Sequence, residues 1–240
     1  MKSKFFITLL GLLCFSVILA EEIENSNIYF LQGNDKSLRS DYTGAIEDYT
    51  VAIELNPENE EAYTARGSCK SIQKGYIEAI QDFTKAIQIN SKKEEYYYYR
   101  GKAKFSLKDY LEAIKDFSKA IELNPGYADA YCNRGSAKYN VKEDVAAIKD
   151  YSKAIELNPK YSEAFYYRGK AKLKPKAYSA AIKDFSKAIE LNPRYALAYY
   201  ARGSAKIMLN DKQGALEDLS IAGELGYIEA YIAIRSIQNF

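Results

Sequence analysis

The sequence predicts an all-α fold: six helix-turn-helix repeats closed by a C-terminal capping helix. Three observations carry that prediction. Arg-Gly recurs at 66–67, 100–101, 134–135, 168–169 and 202–203, a spacing of 34 residues, with Gln32-Gly33 in register before them. Ala45, Ala79, Ala113, Ala147, Ala181 and Ala215 form a second ladder, each followed by Ile or Leu, and Ala52, Ala86, Ala120, Ala154, Ala188 and Ala222 form a third. Asn-Pro recurs at 56–57, 124–125, 158–159 and 192–193, with Asn90-Ser91 in the remaining slot. A fixed period of this length, without insertion or deletion, is the mark of stacked units that bury their apolar faces only against one another.

The elements follow in order. Lys2 and Lys4 precede an apolar run from Phe5 to Leu19, which ends at Ala20 before Glu21 and Glu22. A positive start, a short apolar centre and a small residue at the cut are the layout of a secretory signal. The run is short for a membrane span, which takes about 20 apolar residues. The expectation is cleavage after Ala20 and export to a periplasm or the exterior, with no membrane insertion once the signal is removed. An uncleaved N-terminal anchor is the alternative. Residues 21–25 read as a short leader, and the repeats then occupy 26–59, 60–93, 94–127, 128–161, 162–195 and 196–227.

The second helix of each repeat is the clearest. Ala79, Ile80, Phe83, Ala86 and Ile87 lie on one helical stripe. It stops at Ile89-Asn90, and elsewhere at Leu-Asn-Pro, because the residue before proline is pushed out of helical geometry. The first helix carries Tyr63, Gly67 and Lys70 in one copy and Tyr97, Gly101 and Lys104 in the next. Glycine inside a helix costs about 1 kcal/mol relative to alanine. Its recurrence predicts that another helix passes too close for a side chain. Gly223 and Gly226 mark an altered turn, and residues 228–240 read as the capping helix that covers the last apolar face.

Composition narrows the function classes. Lys and Arg number 34 against 32 Asp and Glu; without Lys2 and Lys4 the balance is even. Such a chain lacks the charge excess that drives sequence-independent binding to nucleic acid or anionic lipid. Histidine is absent, which excludes histidine-dependent triads, histidine metal ligation and a histidine pH switch. Three cysteines form neither a disulfide framework nor a zinc site. No phosphate-binding glycine loop is present, and no carboxylate pair stands out as an acid-base couple. No catalysis, cofactor or metal is expected.

A helix-pair repeat of 34 residues with an aromatic, Gly, Ala, a second aromatic, Ala and Pro in that order resembles the tetratricopeptide repeat, across all six copies. The resemblance implies antiparallel helix pairs stacked into a right-handed superhelical solenoid with a concave groove that binds proteins or peptides. Here arginine, not leucine, precedes the glycine, and lysine replaces the usual aromatic three residues after it. Arg66, Arg100, Arg134, Arg168 and Arg202 each stand four residues before a lysine, a mildly repulsive spacing. Asp48, Asp82, Asp116, Asp150, Asp184 and Asp218 recur once per repeat, so Arg-Asp or Lys-Asp pairs between packed helices are expected.

By the same resemblance, ligand contacts come from first-helix residues three before, one after and four after each glycine. The candidate binding residues are Phe30, Asn34, Tyr98, Lys102, Phe105, Cys132, Ser136, Tyr139, Tyr166, Lys170, Tyr200 and Ser204. Tyrosine suits recognition because a stiff side chain offers a large apolar area and one hydroxyl. Whether Tyr98, Tyr166 and Tyr200 face solvent or pack between helices is open at this stage. Cys69 is expected to be buried, Cys132 more accessible, and both free. The leading reading is a scaffold that captures a protein or peptide of unidentified sequence in its groove. The alternative is an adaptor working through its ends or convex face, including self-association.

Overall fold

The structure, a computed structural model of the chain, describes residues 21–174 and 176–238. The expected signal, residues 1–20, lies outside them. Among the described residues the chain is helical throughout, without strands. Helix α1 covers residues 21–38. It is followed by α2 (Tyr42–Leu55), α3 (Glu60–Ile72), α4 (Tyr76–Ile89), α5 (Glu94–Ser106), α6 (Tyr110–Leu123) and α7 (Ala128–Asn140). Then come α8 (Asp144–Leu157), α9 (Ser162–Leu173), α10 (Tyr178–Leu191), α11 (Ala196–Ile207), α12 (Lys212–Glu224) and α13 (Glu229–Gln238). Residues 21–25, expected as a short leader, form the first turns of α1. No Gly or Pro interrupts this stretch, and the next residue, Ser26, is fully buried and donates its hydroxyl to the Ala52 carbonyl at 2.8 Å.

The chain divides into two compact units, one up to Asp109 and one from Tyr110 onward. In the first unit α2, α3, α4 and α5 pack each on the next, and α3 also touches α5. In the second, α6 to α13 do the same, and α7 touches α9 and α9 touches α11. First helices of successive repeats therefore meet within each unit, which puts them on its inner side.

The repeated glycines are where the helices cross. A Cβ on Gly67 would lie 2.9 Å from Phe83, on Gly135 2.9 Å from Tyr151, and on Gly169 2.7 Å from Phe185. The facing rings are almost completely buried, so they cannot yield, as the in-helix glycines predicted. The second helices end by a mechanism wider than proline. Asn56, Asn90, Asn158 and Asn192 are extended C-caps. Each accepts at its side-chain oxygen from the amide two residues on, at 3.1–3.2 Å. That local turn is the asparagine's own contribution, which is why Asn90-Ser91 ends α4 just as Asn-Pro ends the others.

The turn inside each repeat carries a feature not anticipated from sequence. Ser40, Lys74, Lys108, Lys142, Lys176 and Asn210, again 34 apart, all have φ between 58° and 68°. At Lys74 the amide bonds the Ser71 carbonyl at 3.0 Å and the next amide, of Gly75, bonds the Lys70 carbonyl at 2.8 Å. This left-handed closure is usually given to glycine.

Helix α13 covers the expected last face. Ala230, Ala233, Ile234 and Ile237 pack with Leu219 and Ala222 of α12 and with Tyr200 and Ile207 of α11. A Cβ on Gly223 would meet the Tyr231 ring at 2.6 Å.

Candidate binding face

The basic ladder is structural, and it does more than pair with aspartate. Arg134 donates from Nε and Nη2 to the two oxygens of Asp150 at 2.9 and 2.7 Å, and from Nη1 to the Ser118 hydroxyl at 3.1 Å. The aspartate belongs to the partner helix of the same repeat, the serine to the second helix of the repeat before. Arg66, Arg168 and Arg202 repeat the arrangement, with Asp82 and Thr50, Asp184 and Ser152, and Asp218 and Ser186. Arg100 reaches Thr84 at 3.2 Å in the same way. Each guanidinium also lies over the aromatic residue three positions earlier, 5.4–5.7 Å from the ring centre at Tyr63, Tyr97, Tyr131, Phe165 and Tyr199. Lys70, Lys138, Lys172 and Lys206 complete the neutralisation of their aspartates at 2.7–2.9 Å. In the first repeat Gln32 stands where arginine would, and Lys36 meets Asp48 at 2.8 Å.

The expected binding residues divide into two kinds. Tyr98, Cys132 and Tyr166 are buried, which corrects the expectation of a more accessible Cys132. Tyr166 is held by Tyr167, Phe185 and Tyr195, with ring centres 5.0–5.9 Å away. Burial first, then the neighbouring tyrosine Tyr167, pushes its hydroxyl pKa up to about 12. Burial likewise raises the Cys132 thiol to about 12, offset in part by a hydrogen bond from Tyr161. Cys69 is buried as expected, and neither of these two cysteines is in a disulfide. Tyr200 is half-buried, 4.8 Å from Tyr227, and Phe30 is half-buried, 5.8 Å from Tyr49. Asn34 and Ser136 accept from the hydroxyls of Tyr49 and Tyr151 at 2.8 and 3.2 Å. Ser204 donates to the Tyr200 carbonyl, and Phe105 is half-buried.

The second kind stays open. Lys102 and Lys170 are exposed. The Lys102 ammonium lies 5.5 Å from the Tyr98 ring centre, and Lys170 and Lys174 lie 5.7 and 4.1 Å from that of Tyr139. Lys174 also bonds Asp144 at 2.6 Å, whereas Lys102 and Lys170 meet no carboxylate among the described residues. In the first unit a cleft of about 350 Å³ opens beside Lys102, between α3, α4 and α5. Its lining brings in Ser71, Tyr76 and Tyr99, which were not among the twelve expected residues. Tyr76 opens the second helix and faces the cleft only because the helices cross there, so no first-helix ladder could have found it.

Tetratricopeptide repeat family models match residues 101–141, 176–209 and 128–161. Among solved structures the chain is similar to MamA, at 30% identity over 72% of this chain and 94% of that one, with a TM-score of 0.65. It is similar to YrrB, described as a TPR protein with an unusual peptide-binding site, at 24% identity over 78% and 97%, TM-score 0.63. It also matches the fold of Pseudomonas aeruginosa PilF, at 17% identity over 89% and 99%, TM-score 0.76. No curated protein sequence matches the chain. With these matches and the helix pairs that pack on one another within each unit, the chain belongs to the tetratricopeptide repeat family, a family of protein-interaction scaffolds.

Proposed function

We propose that the protein is a non-catalytic scaffold that binds a protein or peptide along the inner, first-helix faces of its units. The observation that carries this reading is the fate of the basic residues. Arg66, Arg134, Arg168 and Arg202, with their lysines four residues on, are committed to buried aspartates. Lys102 and Lys170, one position after the glycine, are exposed and meet no acidic partner among the described residues. Charged side chains left unpaired on a face where Tyr98 and Tyr166 are already packed are available to a ligand. YrrB, with its peptide-binding site, fits this reading.

The test is a selection of displayed random peptides on the folded chain, followed by hydrogen-exchange footprinting of the bound state. Protection along α3, α5, α7, α9 and α11 supports the reading; protection confined to the second helices or the end helices overturns it. Alanine at Tyr166 is a poor probe, because it removes packing against three neighbouring rings. Export belongs to the same proposal: N-terminal sequencing of the protein made in its own cell should begin at Glu21, and a chain still beginning at Met1 argues for the retained anchor.

A second reading, self-association through the ends, is favoured by apolar exposure there. Leu31 of α1 and Ile232 of α13 are each 65% exposed, and Ile28 and Ile228 are exposed beside them. Patches of this kind mark association sites.

A further inference from the structure

We infer that the cleft between α3, α4 and α5 is a specificity pocket for an extended peptide, seating one large apolar side chain whose neighbour is acidic. The inference rests on the peptide-binding reading above and names the chemistry of one site within it. The lining is largely apolar: Phe83 and Tyr99 stack with ring centres 5.9 Å apart, and Tyr76, Ala103 and the exposed Ile72 stand beside them. At about 350 Å³ the cleft falls at the small end of ligand pockets, roughly 300–1,000 Å³.

The rim is polar and its chemistry is one-sided. Lys102 is its cation and no carboxylate lines the cleft. The Ser68 and Ser106 hydroxyls donate to the Thr64 and Lys102 carbonyls at 2.9 and 3.1 Å. Their oxygens are left as acceptors, suited to peptide N–H groups. Ser71 adds a further hydroxyl at the rim. A carboxylate beside the apolar side chain answers the ammonium, and the exposed position of Lys102 lets the pair form without burying an unpaired charge. A basic neighbour would meet Lys102 with like charge and be rejected, which is how such a site discriminates.

The probe is a Gly/Ser octapeptide with a central Phe-Asp pair, titrated to millimolar concentration against the ¹⁵N-labelled full-length chain. Amide shifts are expected within 68–72 and 99–106. Replacing the peptide's Asp by Asn, or its Phe by Ala, should weaken binding at least fivefold. Lys102→Glu should do the same while leaving the remaining spectrum intact, which shows that the variant is folded, and a Phe-Lys peptide should regain affinity for it. Shifts located elsewhere, or equal affinity for Lys102→Glu, overturn the inference. If the octapeptide causes no shift while display-selected peptides still protect the first helices, the pocket assignment falls and the broader reading stands. If neither binds, both fall.

Discussion

At the residue scale the repeated arginine ties together its own helix pair and the repeat before it. It uses a planar fork on aspartate, a third donor on the preceding repeat and its face on an aromatic ring, a combination lysine cannot reproduce. Arg134→Ala should cost about 3 kcal/mol in urea denaturation, because Asp150, with its side chain 7% exposed, keeps only Lys138. The double variant Arg134→Leu/Asp150→Leu should cost clearly less than the two single variants summed. The Arg-Asp pairs were legible from their shared period; the serine or threonine ladder at 50, 84, 118, 152 and 186 has the same period but was not singled out, since a hydroxyl at a helical position reads equally well as solvated surface. The buried tyrosines set the alkaline limit. Burial raises Tyr49, Tyr96 and Tyr166 to about 12, while unfolded tyrosine ionises near 10. Below that value both states hold the proton and stability is unaffected; between about 10 and 12 only the unfolded chain releases it, so stability falls as pH rises. Helical circular dichroism should therefore be lost in this window together with a cooperative rise in tyrosinate absorbance; ionisation of all 23 tyrosines with helicity intact would contradict the packing described.

At the element scale two backbone features make opposite predictions. Gly169→Ala improves helix propensity by about 1 kcal/mol, but its Cβ would sit 2.7 Å from a fully buried ring. Overpacking costs about 1–3 kcal/mol, so a net loss of about 1 kcal/mol is expected in thermal denaturation. Lys142 holds φ at 68°, a conformation that penalises any side chain. Lys142→Gly should stabilise by about 0.5–1 kcal/mol, read from the same transition. The helix pairs themselves were plain in the sequence, because apolar spacing and the Asn-Pro stops are local signals. The left-handed closures were hidden because lysine, the commonest residue there, does not announce them.

At the scale of the whole molecule stability is shared between neighbours, and α13 is the test of it. Deleting residues 229–240 uncovers Leu219 and Ala222, both fully buried, and should lower the melting temperature and promote aggregation in light scattering; an equally stable, monodisperse truncation would contradict a capping role. For the end-association reading, Leu31→Lys with Ile232→Lys should convert any oligomer seen in sedimentation velocity to monomer without loss of helicity. From the sequence by itself follow the repeat count, the helix pairs, the close crossings at glycine and the pairing of arginine with aspartate, because a strict period imposes one local environment many times over. Only the tertiary structure decided which ladder residues remain available to a ligand. Accessibility depends on what the neighbouring helices bring alongside: Tyr166 is enclosed by Tyr195 and Phe185, while Lys102 one ladder away stays in water beside a cleft, and no periodicity along the chain distinguishes the two.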